Sequence, residues 1–357
     1  MEENRPRPAA PQGSAPLSAS GAPVVVVVAG PTGCGKSALA LRVAEAFHGV
    51  VINSDSQQLY RELRVLTARP GESDLARAPH RLYGVLSALE PCSAGRFRAL
   101  AEAEMHAARA HGRMPIVVGG TGMYLKALTE GLARVPEIPE AIRAEARDRM
   151  AGLGPEEFCA ELARLDPVMA ARLAPGDRQR LMRAYEVVRA TGRSLAAYQE
   201  EERATRTPAR GGTLEGTSGG EQRPGGTRFV TIVLDPPRAE LYAACERRFD
   251  AMMAAGALDE ARHIAELGLP ETCPVMKAVG VRELLAHLRG ELTLEQAVAK
   301  AKQATRNYAK RQATWFRHQA RGAMVFHEQF SESLEAKIFS FIRKVLLTPG
   351  GSLSSLR

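Results

Sequence analysis

The most constraining feature of the chain is a glycine-rich segment that directly follows a run of valines. Residues 30–37 read GPTGCGKS and match the pattern G-x-x-x-x-G-K-[ST], after the run Val24–Val28. A buried strand, such a turn and then a helix place backbone amides and a helix N-terminus around an anion. An ordinary strand-to-helix turn is the alternative. We predict phosphate binding by Gly30, Pro31, Thr32, Gly33, Cys34, Gly35, Lys36 and Ser37.

The same pattern predicts which side chains hold the phosphates and a metal ion. Lys36 would reach the terminal phosphates, and the Ser37 hydroxyl would bind Mg²⁺, which is the cofactor that we expect. Asp235 ends the β-rich run FVTIVLD and resembles the acidic residue that holds magnesium in many phosphate-loop ATPases. A plain strand end explains Asp235 equally well, so a kinase or ATPase remains open here.

Charge and cysteine content limit the class of protein. The net charge of +8 over 357 residues favours a polyanionic partner such as nucleic acid, although a basic protein without such a partner is as good an explanation. The five cysteines are scattered and form no C-x-x-C pair, which is typical of reduced thiols rather than of a disulfide framework or a zinc site. No apolar segment is long enough to span a membrane or to act as a signal peptide. We expect a cytoplasmic protein with no membrane partner.

The alternation of strands and helices predicts the fold class. Short β-branched runs lie at Val24–Ala29, Val50–Asn53 and Ile116–Val118, and helical periodicity covers Ser37–Phe47 and Ala94–His111. Strands that alternate with helices indicate a parallel sheet covered on both faces. We predict an α/β protein with a phosphate-loop, NTPase-like parallel sheet as its core, a helical insertion domain and a helical C-terminal region.

Changes in composition predict the order of segments. The helical, charged block after Pro136 is best explained as an insertion, because the β-run Phe229–Leu234 returns to the sheet behind it. The segment around residues 203–227 is rich in glycine and has one large apolar residue, Leu214, so it cannot bury a core. The predicted segments are a disordered tail (1–22), the first part of the core (23–136), the helical insertion (137–202), a glycine-rich linker (203–227), the completion of the core with basic helices (228–347) and a tail (348–357).

Two further loops carry ligand-type residues at predicted strand ends. Asp55 follows the second strand, and Gly119–Thr121 follows the run Ile116–Val118. Ligands bind at this edge of open parallel sheets, so Asp55 could hold magnesium or act as a base. A helix-capping role for Asp55 is about as good an explanation. The paired glycines would let the backbone approach a ligand, with Thr121 offering its hydroxyl.

Cations cluster in three places. Lys277 and Arg282 flank a glycine in VMKAVGVRE, where they could neutralise a leaving phosphate. The second cluster lies in the insertion and comprises Arg178, Arg180, Arg183, Arg189 and Arg193. In the third, Lys302, Arg306 and Lys310 recur every four residues on a helix that has no acid from Ala297 through Gln319. A solvated helix face normally mixes charges of both signs, so this stripe favours a phosphate backbone as its partner.

Taken together, these segments resemble the tRNA dimethylallyltransferase (tRNA isopentenyltransferase) family. The resemblance runs in order from about Val24 to Arg317 and is far more specific than a phosphate loop alone. It rests on GPTGCGKS (30–37), INSDSQQLY (52–60), APHRL (78–82), VVGGTGMYLKAL (117–128), DRQRLMRAYEV (177–187), MKAVGVRE (276–283) and TRNYAKRQATWFR (305–317).

The resemblance implies a phosphate-loop core whose helical insertion grips the anticodon stem-loop of tRNA. The implied reaction moves the dimethylallyl group of dimethylallyl diphosphate to N6 of the adenosine 3′-adjacent to the anticodon and releases diphosphate. The phosphate loop would then hold a diphosphate leaving group rather than ATP. We expect tRNA and dimethylallyl diphosphate as partners and a monomeric enzyme.

The resemblance also implies residue roles. Asp55 would accept the N6 proton, and Lys36, Thr121 and Arg282 would contact the diphosphate, which makes these four the catalytic set. The implied tRNA contacts are Asp55, Ser56, Gln57, Gln58, Thr121, Arg143, Gln179, Arg180, Leu181, Met182, Arg183, Lys277, Arg282, Lys310, Arg311 and Arg317.

Three rival functions are compatible with parts of this pattern. The arginines of the insertion could form the phosphate lid of a small-molecule or nucleotide kinase. The enzyme could prenylate free adenine nucleotides, although a mononucleotide needs no basic helix. A non-catalytic RNA-binding protein could retain the phosphate loop as a relic, but the intact Lys36, Ser37, Asp55 and Thr121 argue against that.

Overall fold

One sheet of six parallel strands forms the centre of the fold. The computed structural model describes residues 23–206, 227–320 and 322–347. The strand order is β3-β2-β4-β1-β5-β6, and each neighbouring pair is parallel. The predicted α/β class with a parallel sheet is therefore confirmed. The strands are β1 (Val24–Ala29), β2 (Gly49–Asn53), β3 (His80–Arg81), β4 (Met114–Gly119), β5 (Arg228–Leu234) and β6 (Met324–Phe326).

The valine run of β1 is unbroken because both faces of the sheet are covered. Val25 and Val27 belong to the hydrophobic cluster on one face, and Val26 and Val28 belong to the cluster on the other. Successive side chains of a strand point to opposite faces, so a strand buried on both sides has no solvent side that would require polar residues. The sheet-bearing helices before the insertion are α1 (Lys36–Ala46), α2 (Glu72–Arg77), α3 (Ala94–Ala110) and α4 (Gly122–Thr129).

The chain divides into two compact units, residues 1–129 with 215–357 and residues 130–214. Within the described part of the second unit, Phe158, Leu162, Leu181 and Tyr185 form a separate core. The first helix of this unit is broken at Gly154, which has a φ of 77° and is followed by Pro155. The helices of the second unit are α5 (Glu140–Leu165), α6 (Pro167–Arg172), α7 (Arg178–Thr191) and α8 (Leu195–Arg206).

The C-terminal part of the first unit is mostly helical, as the periodicity predicts. A short 3₁₀ turn, Pro274–Lys277, lies between the helices α10 and α11. Strand β6 interrupts the helical series near its end and was not predicted, because three residues carry no recognisable period. The helices are α9 (Arg238–Ala254), α10 (Ala257–Glu266), α11 (Val281–Leu288), α12 (Leu294–Gln319) and α13 (Glu332–Leu347).

Several predicted boundaries differ from the structure or fall outside its described range. Helix α8 continues to Arg206, so the first residues of the predicted 203–227 linker are helical. The rest of that linker (207–226) and the predicted tails 1–22 and 348–357 lie outside the described residues. Strand β3 was also missed, since it has only two residues. Among the helices that the structure describes, none combines the length and apolarity that a membrane crossing requires.

Candidate active site

Three loops meet at the carboxyl edge of the sheet. They are the phosphate loop (30–37) after β1, the Asp55 loop (54–58) after β2 and the glycine turn (119–121) after β4. Strands β2, β4 and β1 are direct neighbours in that order. Because parallel strands end at the same edge, the three predicted ligand loops lie side by side, where open sheets bind ligands.

The phosphate loop has the backbone that an anion site needs. Gly33 and Gly35 adopt φ values of 87° and 89°, a left-handed conformation that is strained for other residues, and Gly35 is the N-cap of α1. Lys36 is buried, and its Nζ donates to the Pro31 carbonyl oxygen at 3.3 Å. Its ammonium group therefore lies over the loop itself, where the phosphates of a ligand would bind.

The phosphate loop offers a magnesium ion the hydroxyl of Ser37. Ser37 is exposed in the first turn of α1. Asp235 is buried and binds Arg317 in a fork, with Oδ2 to Nε at 2.8 Å and Oδ1 to Nη2 at 3.1 Å, so its carboxylate is already neutralised. Within the described ranges, no group of three or more His, Cys, Asp or Glu residues could hold a metal. One hydroxyl beside a phosphate site fits Mg²⁺, which prefers substrate phosphates and water as ligands.

Asn53 shapes the Asp55 loop. Its side-chain nitrogen donates to the carbonyl oxygens of Asp55 and Leu82, both at 3.0 Å, and its Oδ1 accepts the Asp55 amide at 2.8 Å. The Asp55 carboxylate accepts the Gln57 amide at 3.0 Å through Oδ1. These bonds fix the carboxylate at the edge of the sheet rather than at a helix N-terminus, which removes the helix-cap alternative.

The glycines of the third loop make room for neighbouring protein atoms. A Cβ on Gly119 would lie 2.3 Å from the backbone carbonyl of Ser54, and one on Gly120 would lie 2.2 Å from Nε2 of Gln312. Packing of protein atoms therefore accounts for the glycine pair, and the expected approach of a ligand to this backbone remains a prediction. Thr121 ties two loops together instead, because its Oγ1 accepts the Ser56 amide at 2.9 Å.

A small cavity opens between the phosphate loop, the Asp55 loop and two C-terminal helices. Its wall includes Thr32, Asp55, Arg248 and Tyr308. Burial raises the pKa of the Tyr308 phenol, and the nearby Asp55 charge raises it further, so this hydroxyl stays protonated at neutral pH. The cavity therefore combines a carboxylate, a guanidinium and a phenol beside a phosphate site.

Arg248 is the main residue of this cavity that sequence reasoning missed. Its Nη2 donates to the Thr67 carbonyl oxygen at 3.1 Å. Burial lowers the pKa of its guanidinium, and the Asp55 carboxylate is the strongest of the charges that oppose this. A signal was present in the sequence, because Arg248 interrupts the apolar face that Leu241, Cys245 and Phe249 form on α9. A cation at helical spacing within an apolar stripe indicates a candidate site residue.

Glu260 and Gln58 hold the segment 64–68, which Arg248 also contacts, through hydrogen bonds to its backbone. The Glu260 carboxylate accepts the amides of Arg64, Val65 and Leu66 at 2.6, 2.9 and 2.7 Å. Gln58 is buried, and its Nε2 donates to the Thr67 and Ala68 carbonyl oxygens at 2.9 and 3.1 Å. Gln58 was predicted as an RNA contact, but its amide is committed to this segment.

Arg282 does not line the Asp55 cavity. Its Nε donates to the Met276 carbonyl oxygen at 3.0 Å, and its side chain borders a second cleft between α10 and α11. Lys277 is exposed at the end of the 3₁₀ turn. The backbone beside them, Ala278 and Val279, does reach the Asp55 cavity. The predicted contact of Arg282 with the diphosphate remains a prediction.

Two of the three cations in the predicted α12 stripe, Lys302 and Arg306, are paired, contrary to the expectation of an unpaired stripe. Lys302 binds Asp250 with Nζ and Oδ1 2.6 Å apart, and Arg306 binds Glu246, so both carboxylates come from α9. Arg317 binds Asp235. The absence of acids from Ala297 through Gln319 did not predict unpaired cations, because the partner carboxylates lie on neighbouring elements. Lys310 and Arg311 are exposed, and Arg311 lies over the Tyr308 ring at 5.7 Å.

The same correction applies to the insertion. Arg180 pairs with Asp177 and Arg183 with Glu186, while Arg143 lies 3.9 Å from Glu140. Leu181 was predicted to contact RNA but is fully buried in the core of the second unit, and Met182 packs partly against that core. The helical period explains this, because it turns Leu181 inward and leaves Gln179 and Arg180 exposed.

Comparison with known proteins gives consistent results. A family model described as IPP transferase matches residues 58–319. The chain is 55% identical over 323 residues to the tRNA dimethylallyltransferase of Paramagnetospirillum magneticum, covering 90% of this chain and 97% of that protein. It is 53% identical over 337 residues to the tRNA dimethylallyltransferase of Rhodospirillum rubrum, covering 93% and 98%.

Solved structures agree with these relatives. The full-length tRNA isopentenylpyrophosphate transferase of Bacillus halodurans aligns with a TM-score of 0.63 and 29% identity, over 91% of this chain and 96% of that one. A eukaryotic dimethylallyltransferase, captured in crystals acting on tRNA, aligns with a TM-score of 0.72 and 25% identity, over 90% and 80%.

Proposed function

The chain belongs to the tRNA dimethylallyltransferase family, and from that premise we propose that the Asp55 cavity is its catalytic centre. The enzyme is a prenyltransferase that modifies tRNA, and the acceptor in this proposal is N6 of the adenosine 3′-adjacent to the anticodon. The observation that carries the proposal is the presence of the Asp55 carboxylate and the Arg248 guanidinium in one cavity with Thr32 of the phosphate loop.

In the proposed reaction the phosphate loop holds the diphosphate of dimethylallyl diphosphate. Lys36, the loop amides and the N-terminus of α1 stabilise the charge that the diphosphate gains as the allylic carbon–oxygen bond breaks. Arg248 adds a second cation in the wall of the cavity, and its planar fork suits phosphate oxygens. Mg²⁺, held by Ser37 and the diphosphate oxygens, would neutralise further negative charge.

Asp55 acts on the nucleophile. As N6 of adenine bonds to the allylic carbon and diphosphate departs with the electron pair of the broken bond, the N6 proton passes to the Asp55 carboxylate. The Asn53 and Gln57 hydrogen bonds hold that carboxylate in place. The adenine must leave its stack to enter the cavity, which costs a few kcal/mol at most in an unpaired loop.

The exposed cations Lys310 and Arg311 of α12 and the exposed Gln179 of α7 are the proposed tRNA contacts. The first pair lies on the helix that supplies Tyr308 to the cavity. A monomeric state belongs to the same proposal, as does a reducing, cytoplasmic environment, which the five free thiols support.

One assay separates this function from its rivals. Purified protein is incubated with labelled dimethylallyl diphosphate and unmodified tRNA that has adenosine 3′ to the anticodon, and the label in tRNA is measured. A parallel reaction contains labelled ATP and no prenyl donor, and a third contains free adenosine monophosphate as acceptor. Label transfer to tRNA alone is the expected result. Phosphoryl transfer without prenyl transfer would establish a kinase, a rival that the Asp235–Arg317 pair disfavours.

The magnesium proposal has its own test. Removal of divalent ions with a chelator should stop turnover, and added Mg²⁺ should restore it. Ser37→Ala should raise the Mg²⁺ concentration at half-maximal rate and weaken Mg²⁺-dependent binding of inorganic diphosphate, measured by calorimetry. An unchanged Mg²⁺ requirement in that variant would exclude Ser37 as the ligand.

A further inference from the structure

The loops of the catalytic centre are joined by hydrogen bonds in a chain. The Asp55 loop is tied to the glycine turn by the Ser56 amide and Thr121 Oγ1, 2.9 Å apart. The glycine turn is tied to the phosphate loop by a single side chain from α12, Gln312. Its Nε2 donates to the Gly120 carbonyl oxygen at 2.9 Å, and its Oε1 accepts the Thr32 amide at 2.8 Å.

The environment of Gln312 makes this bridge specific. The side chain is buried, with 5% of its surface exposed; its hydrogen bond to the Gly120 carbonyl is buried, and its bond to the Thr32 amide is partly buried. Each end has a fixed polarity, because an amide N–H must meet an acceptor and a carbonyl oxygen must meet a donor. The nearest position for a Cβ on Gly120 is filled by Gln312 itself. The Gly120 carbonyl is buried, so leaving it unpaired would cost the desolvation of a buried acceptor.

A second residue of α12, Trp315, packs against Gly122 at the start of α4. A Cβ on Gly122 would lie 2.3 Å from the indole of Trp315. Gln312 and Trp315 lie three positions apart on one face of α12. Their side chains fill the space that a Cβ would need at Gly120 and at Gly122, so both positions require glycine. The helix that sequence reasoning treated as an RNA-binding stripe is, on its inner face, a brace for the catalytic loops.

We propose that Gln312 is a positioning residue that sets the spacing between the phosphate loop and the loops that carry Asp55 and Thr121. This rests on the proposed roles of Lys36 and Asp55. The carbon–oxygen bond breaks at the phosphate loop while the N6 proton is lost at Asp55, so both groups must act on one aligned pair of substrates. Displacement of reacting groups by about 1 Å costs on the order of 100-fold in rate.

The first test replaces the amide by an apolar side chain of similar length. Gln312→Met should lower kcat about 100-fold and raise KM for dimethylallyl diphosphate, while the Kd for tRNA stays within about twofold of wild type. Gln303→Met, at an exposed glutamine on the same helix, is the matched control and should leave all three constants unchanged. Wild-type kcat in Gln312→Met would overturn the proposal, and so would an equal loss of kcat and tRNA binding.

The second test asks whether the donor–acceptor pattern itself matters. In Gln312→Glu the carboxylate can accept the Thr32 amide but cannot donate to Gly120. When protonated, the carboxyl group has one donor and one acceptor, as the amide has. The ratio of single-turnover rates, Gln312→Glu over wild type, should rise at least tenfold between pH 8 and pH 6. The other ionisable groups of the site are the same in both proteins, so their contributions to the pH dependence cancel in the ratio.

The outcomes separate the two proposals. A wild-type protein with no prenyl transfer contradicts the proposed function. An active wild type with a rate ratio that is flat with pH contradicts the role of Gln312 only. If Gln312→Met does not fold, the pH dependence of the Gln312→Glu ratio decides the question by itself. The rates of that variant and of wild type are each expressed per active site, and the amplitude of the product burst in one turnover gives the concentration of active sites.

Discussion

The carboxyl edge of the sheet and the basic helices α7 and α12 were predicted from equally clear sequence patterns, yet the structure treats them differently. At the edge, the phosphate loop, Asp55 and Thr121 lie together as predicted. On the helices, the predicted RNA contacts are divided among exposed cations, ion pairs and a buried core residue. The edge is determined by backbone geometry close in sequence, whereas a helix surface depends on what packs against it.

The comparison has a chemical consequence. A loop at a strand end presents the same groups whatever surrounds it, because its amides and its glycine conformations are local. A lysine on a helix attracts phosphate only if no carboxylate neutralises it, and the carboxylates that pair with Lys302 and Arg306 are more than 50 residues away in sequence. The following four predictions test this contrast, from the largest expected effect to the smallest.

The largest effect is expected at the edge of the sheet. Asp55→Asn keeps the shape of the side chain but removes the proton acceptor, so kcat should fall about 1,000-fold. Single-turnover assays with prebound tRNA measure the chemical step, and tRNA binding should be unchanged. Asp259→Asn, an exposed aspartate on α10, serves as the control. Near-normal turnover of Asp55→Asn would assign the base to another group.

The second prediction concerns α7, where sequence reasoning placed a core residue on the RNA surface. Leu181→Ala should lower the free energy of unfolding by about 3 kcal/mol, because it opens a cavity in a packed core. Gln179→Ala, at an exposed position two residues earlier, should change it by less than about 0.5 kcal/mol. Urea denaturation of the two variants measures the difference. Equal, small changes would mean that α7 presents Leu181 to solvent.

Arg248 provides the third prediction. Arg248→Gln should lower kcat/KM for dimethylallyl diphosphate about 100-fold, because a cation aimed at the developing charge is lost. Arg248→Lys keeps the charge but not the fork that also reaches Thr67, so its activity should lie between the two. Arg247→Gln, the exposed neighbour on α9, is the control and should behave as wild type. A wild-type kcat/KM in Arg248→Gln would remove Arg248 from the site.

The smallest effect separates paired from exposed cations on α12. Changing Lys310 and Arg311 to Ala should weaken tRNA binding about tenfold and make the slope of log K against log salt shallower by about 1.5, as two phosphate contacts are lost. The control removes a complete ion pair, Lys302→Ala with Asp250→Ala, and should leave the slope unchanged. Filter binding at several salt concentrations measures both. A slope that changes only in the control would reverse the assignment.

Prediction from sequence succeeded wherever a short segment contains its own physical cause. The glycines at 33 and 35 are needed for left-handed backbone, and a valine run buried on both faces can only be a central parallel strand. Strands β3 and β6 failed because two or three residues carry no period. Arg248 and Gln312 were not predicted as site residues, because their roles depend on hydrogen-bond partners 181 and 280 residues away.

The sequence by itself determined the phosphate loop, the parallel sheet, the position of Asp55 at its edge and the family to which the chain belongs. Tertiary structure alone decided which cations stay free for tRNA and that Gln312 fills the space beside Gly120. It also decided that Arg248, Tyr308 and Gln312 complete the site. The physical reason is range. Backbone conformation is set by neighbouring residues, whereas charge neutralisation and buried hydrogen bonding depend on groups that only folding brings together.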